Sequence, residues 1–183
     1  SYCAHIHKDS WTELLANKLN ATVVNRGKIG SSIWTAILDF QKCVLPDYII
    51  FCWTNAYRLY HPTNPANLAS VQKDTNFGDA VMKYFAYLWN DEKELLNFKW
   101  TLEHHDETVL KPISKQSKLI QVFSVHPTDI KIDLDVNLNA GYVHKTSLLK
   151  FSGFTIENHL EGPINHMDVE KNKELANFCY NIA

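Results

Sequence analysis

Four separated stretches of the chain carry side chains suited to acyl transfer: Ser1, the run Val23-Val24-Asn25-Arg26-Gly27-Lys28-Ile29-Gly30-Ser31, the run Trp53-Thr54-Asn55, and Asn165-His166-Met167. A serine hydroxyl is a weak nucleophile until a base takes its proton. An imidazole can act as that base and then as the acid for the leaving group. A carboxylate on the other ring nitrogen fixes the tautomer and stabilises imidazolium. The tetrahedral oxyanion further needs fixed N–H donors. Glu161 is the nearest acid upstream of His166. Taken singly, each of these residues has a plainer use. A serine at a terminus is commonly solvated, a glycine allows a tight turn, an asparagine after a strand makes a turn or a cap, and a histidine before a helix can lie on the surface. It is their ordered occurrence at element ends that points to chemistry.

Other clusters are less suggestive. Cys3, His5 and His7 alternate and, with His104 and His105, form a possible transition-metal set, but a polar loop is the preferred reading. Asp129, Asp133, Asp135, Asn137 and Asn139 share one face of an alternating stretch and lack the glycine and terminal glutamate of a calcium loop. They read as a solvated face. Trp34, Trp53, Trp89 and Trp100 read as core or pocket wall. The lysines between 111 and 118 lack arginine or aromatic neighbours and read as solvent-facing.

The elements that must position these residues follow from periodicity. Ser10-Trp11-Thr12-Glu13 has the form of a capping box. Trp11, Leu14, Leu15 and Leu19 then recur at helical spacing, so a helix is expected over 10 to about 20. A short strand is expected over 21–25, a glycine and serine loop over 26–32, and a helix with Ile33, Trp34, Ile37 and Phe40 on one face. The unbroken apolar run over 48–53 predicts a parallel strand covered on both faces. An irregular excursion over 60–75 precedes helices over 77–88 and 91 to about 104. A buried strand is expected over 118–124. Residues 130–138 alternate as a half-exposed strand or an extended loop. Asp168 caps a last helix whose inner face holds Leu175, Phe178, Cys179 and Ile182. This alternation predicts an α/β fold, a three-layer α/β/α sandwich with a mainly parallel sheet. Ligands of such sheets lie at the carboxyl ends of the strands, which directs attention to Asn25 and to Thr54-Asn55.

The four blocks together resemble the SGNH (GDSL-type) hydrolase family, whose phage-type members share the look of SWTELLANKLN, VVNRGKIGSS and NHMDVEKNKELA. The resemblance implies a flavodoxin-like single domain over 1–183, with 125–163 as a lid or insertion whose Tyr142, Phe151 and Phe154 shape an acyl or sugar pocket. It implies a serine esterase, such as a carbohydrate deacetylase, working through a covalent acyl-enzyme. Ser1 matches the nucleophile, because the Trp11–Leu19 helix follows the family's serine by roughly ten residues. His166 matches the base, and Gly30 with Asn55 and the Ser1 amide match the oxyanion donors. Two departures stand out. The Gly-Asp before the serine is absent, with the strand that would carry it, so the expectation extends to a separate polypeptide supplying the first strand. A chain that starts at Ser1 also carries an α-amine able to act as base to its own hydroxyl, an alternative ranked lower because the element order is unlike that fold. Pro163 stands where the family places an aspartate three residues before its histidine, leaving Glu161 to substitute or a Ser-His dyad to act alone. The alternative is a non-catalytic carbohydrate-binding or structural module, or one fragment of a split hydrolase.

The chain has 183 residues, 45% hydrophobic and 21% charged, enough for one domain with a full core. A net charge of −2 does not suggest a nucleic-acid binder. No apolar run reaches the roughly 20 residues that span a bilayer, and no targeting segment is visible, which predicts a cytoplasmic or virion-associated protein. The expected partner is a small-molecule or carbohydrate ester, with no nucleic acid, membrane, cofactor or metal. Cys3, Cys43, Cys52 and Cys179 lack Cys-x-x-Cys spacing, and the last three read as buried thiols.

Overall fold

The computed structural model describes residues 9–28, 30–63, 66, 75–124, 135–153 and 167–183. Three strands, β1 (Tyr48–Trp53), β2 (Lys118–Phe123) and β3 (Tyr142–Val143), form a parallel sheet in that order. Tyr48 stands opposite Lys118 and Trp53 opposite Phe123, while Ile120 stands opposite Tyr142. Around the sheet lie α1 (Trp11–Leu19), α2 (Ile33–Phe40), α3 (Asn76–Lys83), α4 (Asp91–His105), the short α5 (Lys111–Ile113) and α6 (Leu148–Phe151), and α7 (Val169–Ile182). The protein is therefore a mixed α/β fold with a small parallel sheet. No helix among the described residues is long and apolar enough to cross a membrane.

Alternation along the strands builds two apolar clusters. Ile50, Cys52, Ile120 and Val122 meet Trp11 and Leu15 of α1, Leu148 and Leu149 of α6, and Leu175 and Cys179 of α7. Ile49, Phe51, Trp53, Leu119 and Phe123 meet Ile33 and Ile37 of α2 and Phe98 and Leu102 of α4. Burial at about 25 cal/mol per Å2 is what holds these faces together.

Helix ends follow the expected chemistry with one exception. The Asp168 carboxylate accepts the Lys171 N–H at 2.7 Å, and Ser32 accepts from Thr35 at 3.3 Å. The capping box at Ser10 does not form. Its hydroxyl makes no cap bond and instead lies 3.2 Å from the Thr12 hydroxyl. The first N–H of α1 is taken by another helix, since Trp11 donates to Asn172 Oδ1 at 2.8 Å. Asn172 Nδ2 in turn donates to the carbonyls of Met167 and Asp168, both at 2.9 Å. One buried amide thus clamps the start of α1 to the start of α7.

Helix α4 runs on through a π turn, Asp106–Leu110, and helix α3 through another, Tyr84–Leu88. The inward residues Phe98, Leu102, Asp106 and Leu110 recur every four positions, and a wider turn absorbs that spacing better than 3.6 residues per turn does. The Asp106 carboxylate accepts from the main-chain N–H groups of Asn139 and Ala140 and from Gln121 Nε2. Gln121, in mid-strand and fully buried, also donates to the Ala140 carbonyl and accepts from Trp53 Nε1, both at 2.7 Å. Residues 135–139 therefore form the extended-loop alternative and not a strand. Their backbone is held by Asp106, with Val136 and Leu138 turned to the second cluster and Asp135, Asn137 and Asn139 exposed. Residues 125–134 lie outside the described residues. Gly141 then turns the chain into β3 with φ 61°, where a Cβ would run into the Leu119 carbonyl.

Three expectations need correction. Residues 21–28 form no strand, and Val24 is 73% exposed. A strand needs a ladder partner, and a cavity of about 530 Å3 separates this stretch from β1. The run over 48–53 is likewise not covered on both faces along its length. Ile49, Phe51 and Trp53 are buried, but Ile50 and Cys52 are only partly so, because β1 is the sheet edge beside that cavity. Trp34 and Trp100 are also more exposed than a core role requires, at 48% and 60%.

Candidate functional site

The candidate site is assembled at the carboxyl end of β1. Gly30 is buried with φ 71°, a left-handed conformation that glycine adopts without strain. The Ser31 N–H closes the turn on the Lys28 carbonyl at 3.3 Å, and Ser32 begins α2. Asn55 lies two residues beyond β1. Its Oδ1 accepts the Tyr57 N–H at 2.6 Å, an Asx turn that leaves the side-chain NH2 to donate elsewhere. Arg58 Nη1 donates to the Ser31 carbonyl at 3.3 Å and so ties the Gly30 loop to the Asn55 turn. Gly30 and Asn55, expected from sequence to share a role, thus occupy the same end of the sheet.

Asn25, the other strand-end candidate, accepts the Gly27 N–H at 2.7 Å and lines the cavity beside β1. Ser1, Glu161 and His166 lie outside the described residues, as do Cys3, His5, His7, Ile29, Asp129, Asp133 and Phe154. Described residues at the elements that follow them can be placed. Trp11 and Met167 belong to one buried cluster, and the Asn172 clamp joins the two helix starts that follow.

Of the further polar groups at this end, Thr54 was singled out from the sequence with Asn55, whereas Ser124 and His144 were not. Thr54 Oγ1 and Ser124 Oγ are buried without a hydrogen-bond partner, and the Ser124 N–H donates to the Trp53 carbonyl at 2.8 Å. Unsatisfied buried hydroxyls cost about 1–3 kcal/mol each and are uncommon enough to mark a site. Continuing the strand alternation puts both side chains on the face of Ile50, Cys52, Ile120 and Val122, beneath α1 and α7. His144 follows β3. Its Nδ1 stands 2.6 Å from the Thr146 carbonyl and 3.1 Å from the Thr146 N–H, so the ring is held against the turn that follows. Its ring packs edge-on to Phe151 and Phe178. The sequence signal for Ser124 was its position directly after an apolar run.

Of the set Cys3, His5, His7, His104 and His105, the last two lie among the described residues. His104 is exposed and His105 buried. The His105 ring lies 5.4–6.3 Å from the rings of Phe51, Trp53 and Phe40. Its Nε2 has no partner, and desolvation drives its pKa down to about 4 against a smaller opposing pull from Asp106. Among the described residues no group of three His, Cys, Asp or Glu side chains could hold a metal ion. Cys179 is fully buried, and burial pushes its thiol up to about 12, so it is inert. Cys43 and Cys52 are only partly buried.

The stretch expected as a lid or insertion contributes, over its described part 135–153, the strand β3 and the core residues Leu148 and Leu149. Tyr142 there packs on Phe178. No family profile, curated protein or solved structure matches the chain.

Proposed function

We propose that the chain is a serine hydrolase acting on acyl esters, carbohydrate acetates among them, within a three-layer α/β/α, flavodoxin-like fold. Ser1 attacks the acyl carbon and His166 takes its proton, then delivers it to the departing alcohol. Glu161 orients the imidazole. The Gly30 N–H and the Asn55 side chain hold the oxyanion. Water, activated by His166, releases the acyl group. The observation that carries this reading is the joining of the Gly30 turn to the Asn55 turn at the carboxyl end of β1, through the Arg58–Ser31 hydrogen bond. It is supported by the free donor capacity of Asn55 and by the Asn172 clamp, which gathers the starts of α1 and α7. Tyr57 stacks on Trp89 with centroids 5.0 Å apart just beyond Asn55, an aromatic wall suited to the organic part of an ester.

The same reading accounts for the cavity beside β1. The Lys118 N–H bonds the Asp47 carbonyl and the Ser124 N–H bonds the Trp53 carbonyl. By the two-residue alternation of a strand, Ile49 and Phe51 also face β2, while Tyr48, Ile50 and Cys52 turn their N–H and C=O to the cavity. Residues 21–27 border its far side. An added parallel strand fits there, and it would lead into the nucleophile loop.

The test is hydrolysis of 4-nitrophenyl acetate by the wild-type chain and by Ser1→Ala. The expected result is turnover that falls by about 10³-fold or more in the variant, with Asn55→Ala losing roughly 10²–10³-fold. Equal rates in wild type and Ser1→Ala, or no turnover by wild type, would remove the enzyme reading in favour of a non-catalytic binding module.

A further inference from the structure

Arg58 follows the Asn55 turn and is largely withdrawn from solvent. A guanidinium carries five N–H donors in a planar fork. One of them, on Nη1, goes to the Ser31 carbonyl. No ion pair joins Arg58 to any carboxylate of the described residues. The acids on neighbouring elements are engaged elsewhere. Asp39 pairs with Lys28, while Asp91 accepts from Tyr57 and Trp89. Desolvation accordingly lowers the Arg58 pKa, with a smaller opposing effect from Cys52. Burying a charge without a partner is costly, and a fold retains such a charge where something else neutralises it. The fork geometry favours a planar, bidentate anion.

We propose that the Arg58 guanidinium, anchored to the Ser31 carbonyl between the Gly30 loop and the Asn55 turn, binds a carboxylate carried by the substrate. The proposal deepens the ester-hydrolase reading and rests on it for the word substrate. It makes the natural ester an acidic one, with the carboxylate on the part of the molecule that lies over the β1 end. Arg58 acts by positioning and not by chemistry, because one of its own donors is already committed to the backbone.

Two measurements separate this proposal from the hydrolase reading. The first is binding of 4-methoxybenzoate against its neutral amide, followed by titration calorimetry on wild type, Arg58→Met and Arg58→Lys. Wild type should prefer the carboxylate by at least tenfold, Arg58→Met should show no preference, and Arg58→Lys should fall between. An equal preference in wild type and Arg58→Met, or none in wild type, overturns the proposal whether or not the chain hydrolyses esters. The second is the ratio of kcat/KM for 4-acetoxybenzoate to that for its methyl ester. A ratio of about ten or more in wild type, falling towards one in Arg58→Met, is expected. Hydrolysis of both esters with a ratio unchanged by Arg58→Met contradicts the proposal and leaves the hydrolase standing. Absence of hydrolysis with an intact carboxylate preference in binding removes the hydrolase and leaves the anion site. Thermal melting of Arg58→Met guards against a folding defect, and it should stay close to wild type because loss of the Ser31 hydrogen bond is offset by removal of a partly buried charge. A clear fall in melting temperature would show that Arg58 is structural and would overturn the proposal.

Discussion

At the residue scale, the polar groups without partners are the informative ones. Thr54 Oγ1, Ser124 Oγ and His105 Nε2 are all buried and unbonded, yet they mean different things. The two hydroxyls close adjacent strands at the end where α/β sheets bind ligands. His105 sits among Phe40, Phe51 and Trp53 on the other face, where its ring does the work of an aromatic core residue. That environment has a pH consequence. The folded-state pKa near 4 lies below the unfolded value near 6.5, so the folded chain stays neutral where the unfolded chain takes up a proton. Stability from this site is fully present above about pH 6.5 and is lost as the pH falls towards 4, by an amount on the order of 3 kcal/mol. Urea titrations at pH 7 and pH 4.5 should show wild type losing about 2–3 kcal/mol more than His105→Phe. Equal losses would mean that the ring is solvated or paired in the native state.

At the element scale, the apolar runs were legible and their pairing was not. Periodicity located α1, α2, β1, α4, β2 and α7 to within a residue or two, because each buries a continuous face. It failed at residues 21–25, whose apolar residues look like a strand but have no ladder partner across the cavity. It also failed at Ser10, whose capping pattern was displaced by a bond from Trp11 to Asn172, 161 residues away. No local rule reports a partner at that distance. Strand β3 is two residues long and is fixed by Gly141 and by the Ile120 and Gln121 register, neither of which has a sequence period. The edge status of β1 is itself testable. In amide hydrogen exchange on the chain alone, Ile49 and Phe51 should be protected through β2, and Ile50 and Cys52 should exchange much faster. Uniform protection along β1 would mean that the outer edge is already paired.

At the scale of the whole molecule, the parallel sheet sets one end apart for chemistry. The order β1-β2-β3 sends Asn55, Ser124 and His144 out of the same end, and the turn before α2 brings Gly30 to it. The sequence drew attention to Gly30 and Asn55 in that set and not to Ser124 or His144. Arg58 was not legible either, since nothing in an isolated arginine reveals that it will be partly buried with no carboxylate of the described residues paired to it. The residues assigned to nucleophile, base and orienting acid are Ser1, His166 and Glu161, and the account turns on the first of them. The direct measurement is labelling of the intact chain with a fluorophosphonate, followed by peptide mass spectrometry. The account predicts one covalent adduct, on Ser1, that is abolished in His166→Ala. An adduct on Ser124 or another hydroxyl, or no adduct on a chain shown to be folded, would contradict it.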